Sequence, residues 1–347
     1  MKRYDERDVL FSRMARKPGT KPYEDYYKRN PNKKDIDDRL RQKPAMGDES
    51  SRFYHPYYSK MVDSTFELIS DFSLLCDGPE KSEAQVKRSI EENTLKVKEL
   101  AKLYGTKLIS ITEYNQDYYY THKGRKDSEY GKKINDKLPY TIVFAVEMDY
   151  EYFMQSPYVL ESVAVTKGYL DAGVLGLVLT YFIKSLGYEA RNHMDSNYQI
   201  ILPLAAKYAG LGDIGRNGLL VTPRFGGRIR LGAVTTDLPL LIDKRDELFD
   251  VTKFCNECKI CAKVCPSQAI TSEERSEINY ENKWSTNHEN CYGKWQDFGS
   301  DCGLCVSRCP LSARLPKDSI KEYIENPDSA AKIIEEYKQN LINKIKS

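Results

Sequence analysis

The chain has almost no surplus of charge: 53 Lys and Arg stand against 51 Asp and Glu, a formal net of +2. So small a balance gives no reason to expect a nucleic-acid partner, which would need a local basic patch. Long apolar runs are missing too. The longest, Ala172 to Ile183, is too short for a bilayer and is flanked by Asp171 and Lys184, so no membrane partner is expected. The opening MKRYDERDVLF has neither the apolar stretch of a signal peptide nor a twin arginine. Cysteine is scarce outside two short runs: of nine, only Cys76 lies apart, and it reads as a small buried hydrophobe. What is present is ordinary core material, 40% hydrophobic residues over 347 positions. That is enough for one large α/β core plus a small module.

The other eight cysteines carry the strongest signal. Cys255-x2-Cys258-x2-Cys261-x3-Cys265 is followed by Pro266, and Cys302-x2-Cys305-x3-Cys309 by Pro310, with Cys291 a short way upstream. The first run has the spacing of bacterial ferredoxins with two 4Fe–4S clusters, in which the fourth cysteine serves the other cluster. A cubane needs four converging thiolates. The x2 steps let three come from a single turn, and the proline breaks the helix that follows, so the fourth comes from elsewhere. Cys255, Cys258, Cys261 and Cys309 are therefore assigned to one cluster, and Cys265, Cys291, Cys302 and Cys305 to the other. Paired zinc ribbons also use Cys-x2-Cys, but zinc requires no third cysteine at the next x2 step and no terminal Cys-Pro. A disulfide framework suits neither the chain length nor the spacing. The motif is one of electron transfer, and thiolates kept for iron make a reducing cytoplasm the expected home.

Four regions follow from the pattern along the chain: an N-terminal arm (1–60), a core (61–250), the cluster module (251–316) and a helical tail (317–347). The arm is broken by Pro18-Gly19, Pro22, Pro31 and Pro44, yet Val9, Leu10, Phe11, Tyr23, Tyr26 and Tyr27 are anchors that a solvated tail would not need. It should lie docked over the core. Ser82-x-x-Gln85 reads as a capping box opening a helix through Val86, Ile90, Val97, Leu100 and Tyr104, closed by Gly105. Strands are predicted over 107–112, 140–146, 199–202, 219–222 and 228–236. The polar linker between the first two reads as a surface loop. Ser156 and Pro157 should open a long buried helix ending at Gly187. Gly168, Gly173 and Gly176 inside it each cost about 1 kcal/mol against alanine. Either a neighbouring helix or a large ligand packs close there.

Between the core strands lies Gly210-x-Gly212-x-x-Gly215, continued by Gly218. As a dinucleotide fingerprint it is weak, since no strand with an acidic residue follows about 20 positions on. Its physical content is backbone that a bulky ligand could approach closely. Here AGLGDIGRNGLLVTPRFGGRIRLGAVTTDLPL, CNECKICAKVCP and CYGKWQDFGSDCGLCVSRCP together resemble the reductive dehalogenases. ERDVLFSRMARKPGTKPYEDYYKR is similar to the opening of that family's non-membrane members, so the resemblance spans nearly the whole chain.

The resemblance implies a nitroreductase-like α/β (α+β) core holding a base-off cobalamin, with the two-cluster module packed against it. It implies contacts to the corrinoid from Gly210, Leu211, Gly212, Gly215 and Asn217, and no histidine beneath the cobalt. Accordingly no Asp-x-His-x-x-Gly signature is present, and His193 sits in the unrelated context RNHMDS. The family's proton donor is a tyrosine that maps to Tyr169. Its partner, a basic residue before Thr-Thr-Asp, maps to Arg230, whose positive charge would favour the phenolate. Lys294 matches a basic position that contacts anionic substrates in some members, where arginine is usual; lysine lacks the bidentate fork. Each has a bland reading: Tyr169 as a core tyrosine, Arg230 in a surface ion pair, Lys294 solvated. Trp284, Tyr292 and Trp295 either wall the pocket or pack around the clusters.

The activity so implied is reductive dehalogenation of a small organohalide. The export signal of respiratory members and the fused reductase domain of others are both missing, so an external ferredoxin or flavodoxin should supply electrons. Two competing functions stand beside it. One is an epoxyqueuosine-reductase-like enzyme, which would carry aspartate at position 169 and a basic face for RNA. The other is a corrinoid-free electron carrier, distinguished by its absorbance spectrum.

Overall fold

Stretches rich in β-branched residues build one antiparallel sheet of four strands, in the order Leu108–Glu113, Tyr140–Glu147, Ile229–Thr236, Ala190–His193. The computed structural model describes residues 3–135, 137–244, 249–278, 281–313 and 315–346. Alternation along the strands sends side chains to two cores. Ile142, Phe144, Val146 and Val234 meet Leu175, Leu179 and Ile183 of the long helix on one face. Val143, Ala145 and Ala233 meet Leu202, Ala205 and Ala206 of the helix Leu202–Tyr208 on the other. The architecture is mixed α/β. The expected strand at 199–202 is reduced to a single bridge from Ile200 to Tyr119, because the helix already begins at Leu202.

The long helix runs Val159–Ser185 and ends, as expected, before Gly187 at φ +87°. Its start differs: Tyr158 occupies the N-cap position, and the Ser156 hydroxyl instead donates to the Phe153 carbonyl at 2.7 Å, closing the preceding turn. At 27 residues the helix is long and apolar enough, by length and composition, to cross a membrane. Here it packs between the sheet and the helix Tyr58–Phe72. Its glycines answer to neither expected neighbour, but to side chains of the sheet strands and of Met194 just beyond one of them. A Cβ on Gly168 would lie 2.6 Å from Arg230 Cγ, on Gly173 2.6 Å from Met194 Cε, and on Gly176 2.0 Å from Asn192 Oδ1.

Two further expectations are corrected. The helix expected from Ser82 begins at Ile90, capped by the Ser89 hydroxyl, which accepts from the Glu92 N–H. Residues before it are held extended by hydrogen bonds from Ser82 and Val86 amides to the carbonyls of Lys184 and Leu186. The polar linker after Glu113 is no surface loop, since Tyr118 and Tyr119 are buried and stack on each other at 5.4 Å. Tyrosine presents an apolar body with one polar tip, so a sequence of tyrosines looks wetter than it is. Cys76 is fully buried.

The arm forms three helices, Leu10–Met14, Lys21–Arg29 and Pro31–Gln42, around the mutually packed Tyr23, Tyr26 and Tyr27. It seats on the helix His288–Phe298 of the second cysteine run. Arg13 pairs with both Asp37 and Glu289, Lys33 with Glu289 at 2.6 Å, and the Gln296 amide donates to the Leu40 carbonyl at 3.0 Å. The tail helices Lys317–Glu325 and Ala330–Lys346 fold back over the first run, where Ile333, Ile334 and Tyr323 pack on Phe254 and Cys258.

Candidate active site

The first cysteine run is carried by two short helices, Thr252–Cys258 and Ile260–Lys263, separated by Lys259 at φ +51°. Left-handed residues Cys302 (φ +64°) and Gly303 (φ +62°) precede the second short helix Leu304–Ser307. Gly303 has no room for a side chain: its Cβ would stand 2.5 Å from Glu161 Oε1 and Ser156 Oγ. All nine cysteines are free thiols. Among the described residues no three candidate ligands converge as on a single metal ion. Burial first, then Cys255, Cys258 and Cys261, pushes the Cys309 thiol up. Burial, then Glu161, Cys291 and Cys265, raises Cys302. Cys305 is raised by burial, then by Cys291, by Cys261 of the first run and by Cys302. The influences on Cys309 and Cys302 are those of the crossed grouping into two quartets, while Cys305 also feels the first run. Buried thiolates that repel one another are costly unless a cationic centre is shared among them, so this donor set fits iron–sulfur clusters.

Hydrogen bonds tune the second quartet. Cys265 Sγ accepts from the Ala269 N–H at 3.3 Å and lies 3.5 Å from Ser267 Oγ; these outweigh burial and hold its thiol below the ordinary range. The Asn217 side chain hydrogen-bonds to Cys305. Asn217 thus serves a thiol rather than the wall of a ligand cavity. Arg216, almost wholly buried, donates to the carbonyls of Cys255, Thr271 and Glu273, locking the glycine loop to the first run.

A cavity of about 1410 Å³ opens between the arm, the glycine loop and the helix of the second run. Typical small-molecule sites are about 300–1,000 Å³; this one has room for a macrocycle. Gly210, Gly212, Gly215 and Gly218 line it, with Phe11, Trp284, Tyr292, Trp295 and Cys291. Leu211 does not line it but is buried against the sheet. Two of the glycines are small for a reason other than ligand approach: a Cβ on Gly212 would lie 2.2 Å from the Val221 carbonyl, and on Gly215 2.9 Å from Val221 Cγ2. Size, an aromatic wall and contact with the second quartet fit a corrinoid.

Tyr169 and Arg230 do not line that cavity; Tyr169 packs beside Met148, Val306 and Cys305, and Arg230 stands against it. Arg230 Cζ lies 4.2 Å from the Tyr169 ring centre, and Nη1 donates to the phenol oxygen at 3.3 Å. The strand Ile229–Thr236 places Arg230 against Gly168, so the glycine preceding the tyrosine is what admits its partner. Burial raises the phenol first. Arg230 and Arg125 pull it down, Asp195 and Asp301 push it up, and the net direction is upward. The expected depression by a neighbouring cation is therefore outweighed: Tyr169 firmly holds its proton at neutral pH. Arg230 is raised in turn, as Tyr169, Asp301, Glu161 and Tyr198 overcome its burial.

Sequence reasoning missed Arg125, Glu161, Asp195, Tyr198 and Asp301. Glu161 resembles an ordinary first-turn acid, yet it is buried and held well above the usual carboxylate range by burial. Asp301 adjoins a cysteine, and the other three sit in loops without periodicity, so no local signal marks them. Lys294, by contrast, is not brought to Tyr169: its Nζ lies 3.2 Å from Asp297 Oδ2, three residues on along the same helix. His193 is buried in the sheet, with Nε2 3.1 Å from Thr235 Oγ1 and Nδ1 3.2 Å from Arg191 Nη1. Arg125 stands with its Cζ 5.4 Å over the ring of Phe11, which lines the cavity, while its charge acts on Tyr169.

Comparison with known proteins agrees with this arrangement. Residues 254–313 match the 4Fe-4S dicluster domain family. The tetrachloroethene reductive dehalogenase of Desulfitobacterium hafniense is 33% identical over 268 residues, covering 64% of this chain and 48% of that protein. The protein of the same description from Sulfurospirillum multivorans is 29% identical over 255 residues, covering 64% and 50%. An epoxyqueuosine reductase of Atelocyanobacterium thalassa is 30% identical over a shorter 130 residues, 35% of this chain and 41% of its own. The chain thus spans about half the length of the curated dehalogenases it matches. Among solved structures, a catabolic reductive dehalogenase in complex with 3-bromo-4-hydroxybenzoic acid superposes with TM-score 0.76 at 22% identity, covering 96% of this chain and 45% of the other. A second, described in terms of B12-dependent dehalogenation, gives 0.71 at 24%, covering 86% and 44%. The fold is the mixed α/β reductive dehalogenase fold.

Proposed function

We propose that this chain, which shares the reductive dehalogenase fold and is 33% identical to a tetrachloroethene reductive dehalogenase over 64% of its length, replaces a halogen by hydrogen on a small organohalide. The change needs two electrons and one proton and releases a halide. A corrinoid, when bound in the large cavity, supplies the low-potential metal centre at which the carbon–halogen bond is broken. The chain's own residues do the rest. The quartet of Cys255, Cys258, Cys261 and Cys309, none of which lines the cavity, is the reading's entry point for electrons from an external ferredoxin or flavodoxin. The quartet of Cys265, Cys291, Cys302 and Cys305 borders the cavity through Cys291. Tyr169 holds the proton at its phenol oxygen, and Arg230 stabilises the phenolate left behind. A cytoplasmic location accompanies this reading.

The observation that carries it is the Arg230–Tyr169 pair packed beside Cys305 of the second quartet. An epoxyqueuosine-reductase-like activity is disfavoured by tyrosine at 169 and by the small net charge. The test is anaerobic reconstitution with iron, sulfide and corrinoid, then assay of released halide with a chemical or ferredoxin donor. Tyr169→Phe should lower turnover by about 10²–10⁴-fold, the usual worth of a positioned proton donor, with both cofactor spectra unchanged. Full activity in that variant removes Tyr169 from the reaction. No corrinoid uptake by the wild type defeats the whole reading.

A further inference from the structure

Resting on the dehalogenase reading, we infer that Lys259, Lys263 and Arg308 form the docking surface for the electron donor, and that the donor is a small acidic carrier protein of the flavodoxin or ferredoxin kind. The two cysteine quartets differ in the charges threaded among them. Within two positions of the first quartet stand Lys253, Lys259, Lys263 and Arg308, against Glu257 alone. Within two positions of the second stand Glu289 and Asp301, with Lys263 shared through Cys265. Positive charge therefore gathers at the quartet remote from the cavity, since Cys291 of the second lines that cavity and no cysteine of the first does.

Short helices hold these cations near one another. Lys259 separates Thr252–Cys258 from Ile260–Lys263, and its side chain is 33% exposed. Lys263 ends the second of those helices, Arg308 caps Leu304–Ser307, and both side chains are exposed. Ile260–Lys263 and Leu304–Ser307 pack on each other. Each is only about 6 Å long, so the cations at their ends fall within the footprint of one small protein. The same two helices carry Cys261 and Cys305, one thiol from each quartet, so an electron received here stands next to the inner cluster.

The charge is unspent. Lys253 is taken by Asp328, but Lys263 and Arg308 form no ion pair among the described residues, and Lys259 reaches only Glu274, at 4.0 Å. Such a face draws an acidic partner and speeds its encounter. An anionic membrane would use apolar anchors as well, and among the described residues from 251 to 313 no large apolar side chain is exposed. In the step served, a flavodoxin hydroquinone gives one electron to the first cluster and becomes its semiquinone. Two such encounters supply the two electrons of one turnover.

The test mixes enzyme reconstituted with iron, sulfide and corrinoid against flavodoxin hydroquinone in an anaerobic stopped-flow cell, following the semiquinone as it forms. The wild-type rate should fall roughly ten- to a hundredfold from low to high salt. Lys259→Glu, Lys263→Glu and Arg308→Glu combined should slow the low-salt reaction by a similar factor, while a cationic viologen radical reduces that variant no more slowly than the wild type. Lys102→Glu, the same charge change on the helix Ile90–Leu103, should alter neither rate. A wild-type rate indifferent to salt, or equal slowing with both reductants, overturns the inference. So does a triple variant that keeps the wild-type flavodoxin rate but no longer sediments with phosphatidylglycerol vesicles, which makes the face a lipid contact. Salt- and charge-dependent cluster reduction with no halide released from any organohalide supports the docking surface and overturns the dehalogenase reading instead.

Discussion

At Tyr169 five influences compete, and their order decides the chemistry. Burial and two carboxylates favour the neutral phenol, while two arginines favour the phenolate. A donor must carry its proton before the reaction and part with it during the reaction, so a net upward direction opposed by a cation at 3.3 Å suits both demands. Activity should then fall only as pH rises through the phenol's pKa. Arg230→Gln removes a downward influence, so that alkaline limb should move upward, by roughly one to three pH units for loss of an adjacent charge. The rate at neutral pH should drop at the same time, because the developing phenolate loses its partner. A pH–rate profile measures both, and an unmoved limb would show that Arg230 does not act on the phenol. Position 230 was legible from its neighbours in the chain. The opposing carboxylates were not, since Asp195 and Asp301 lie 26 and 132 positions away from Tyr169 along the sequence.

Elements differ in how much of their form is local. The sheet strands declared themselves through β-branched alternation, and the long helix through its apolar length and closing glycine. Its N-terminus did not, because Ser156 is taken by the preceding turn. Nor did the helix near residue 90, whose expected first turn is drawn off into hydrogen bonds with the end of the long helix. The three helix glycines show the same contrast: their presence was legible, their neighbours were not. Gly176→Ala should destabilise the protein by about 1–3 kcal/mol, as overpacking of a tight interface does, because its Cβ would overlap Asn192 Oδ1. Gly168→Ala meets the Arg230 side chain instead. Displacing that guanidinium should cost activity more than it costs melting temperature. Thermal melts beside halide-release assays separate the two, and a Gly168→Ala enzyme with normal turnover would show the contact to be incidental.

On the scale of the molecule, the proposed redox centre crosses the two cysteine runs. In that assignment Cys265 serves the second quartet, where it acts on Cys291, and Cys309 serves the first, whose three other thiols act on it. The arm braces the helix bearing Cys291 while the tail covers the first run, so both ends of the described chain converge on the cysteines. Cys309→Ser should therefore lower iron content by about half, removing the cluster of the first run, while electron paramagnetic resonance still reports the second. Cys265→Ser should do the reverse. Loss of the same signal in both variants would refute the crossed assignment.

Thiolate spacing and strand alternation are properties of short stretches of chain, where a few bonds confine which groups can meet, and they could be read residue by residue; Tyr169 and Arg230 came from the family resemblance. The surroundings of Tyr169 could not be read: Arg125, Asp195 and Asp301 act on it because the fold brings distant segments to one place. Local geometry travels with the chain, whereas dielectric surroundings and long-range neighbours exist only once the chain has packed.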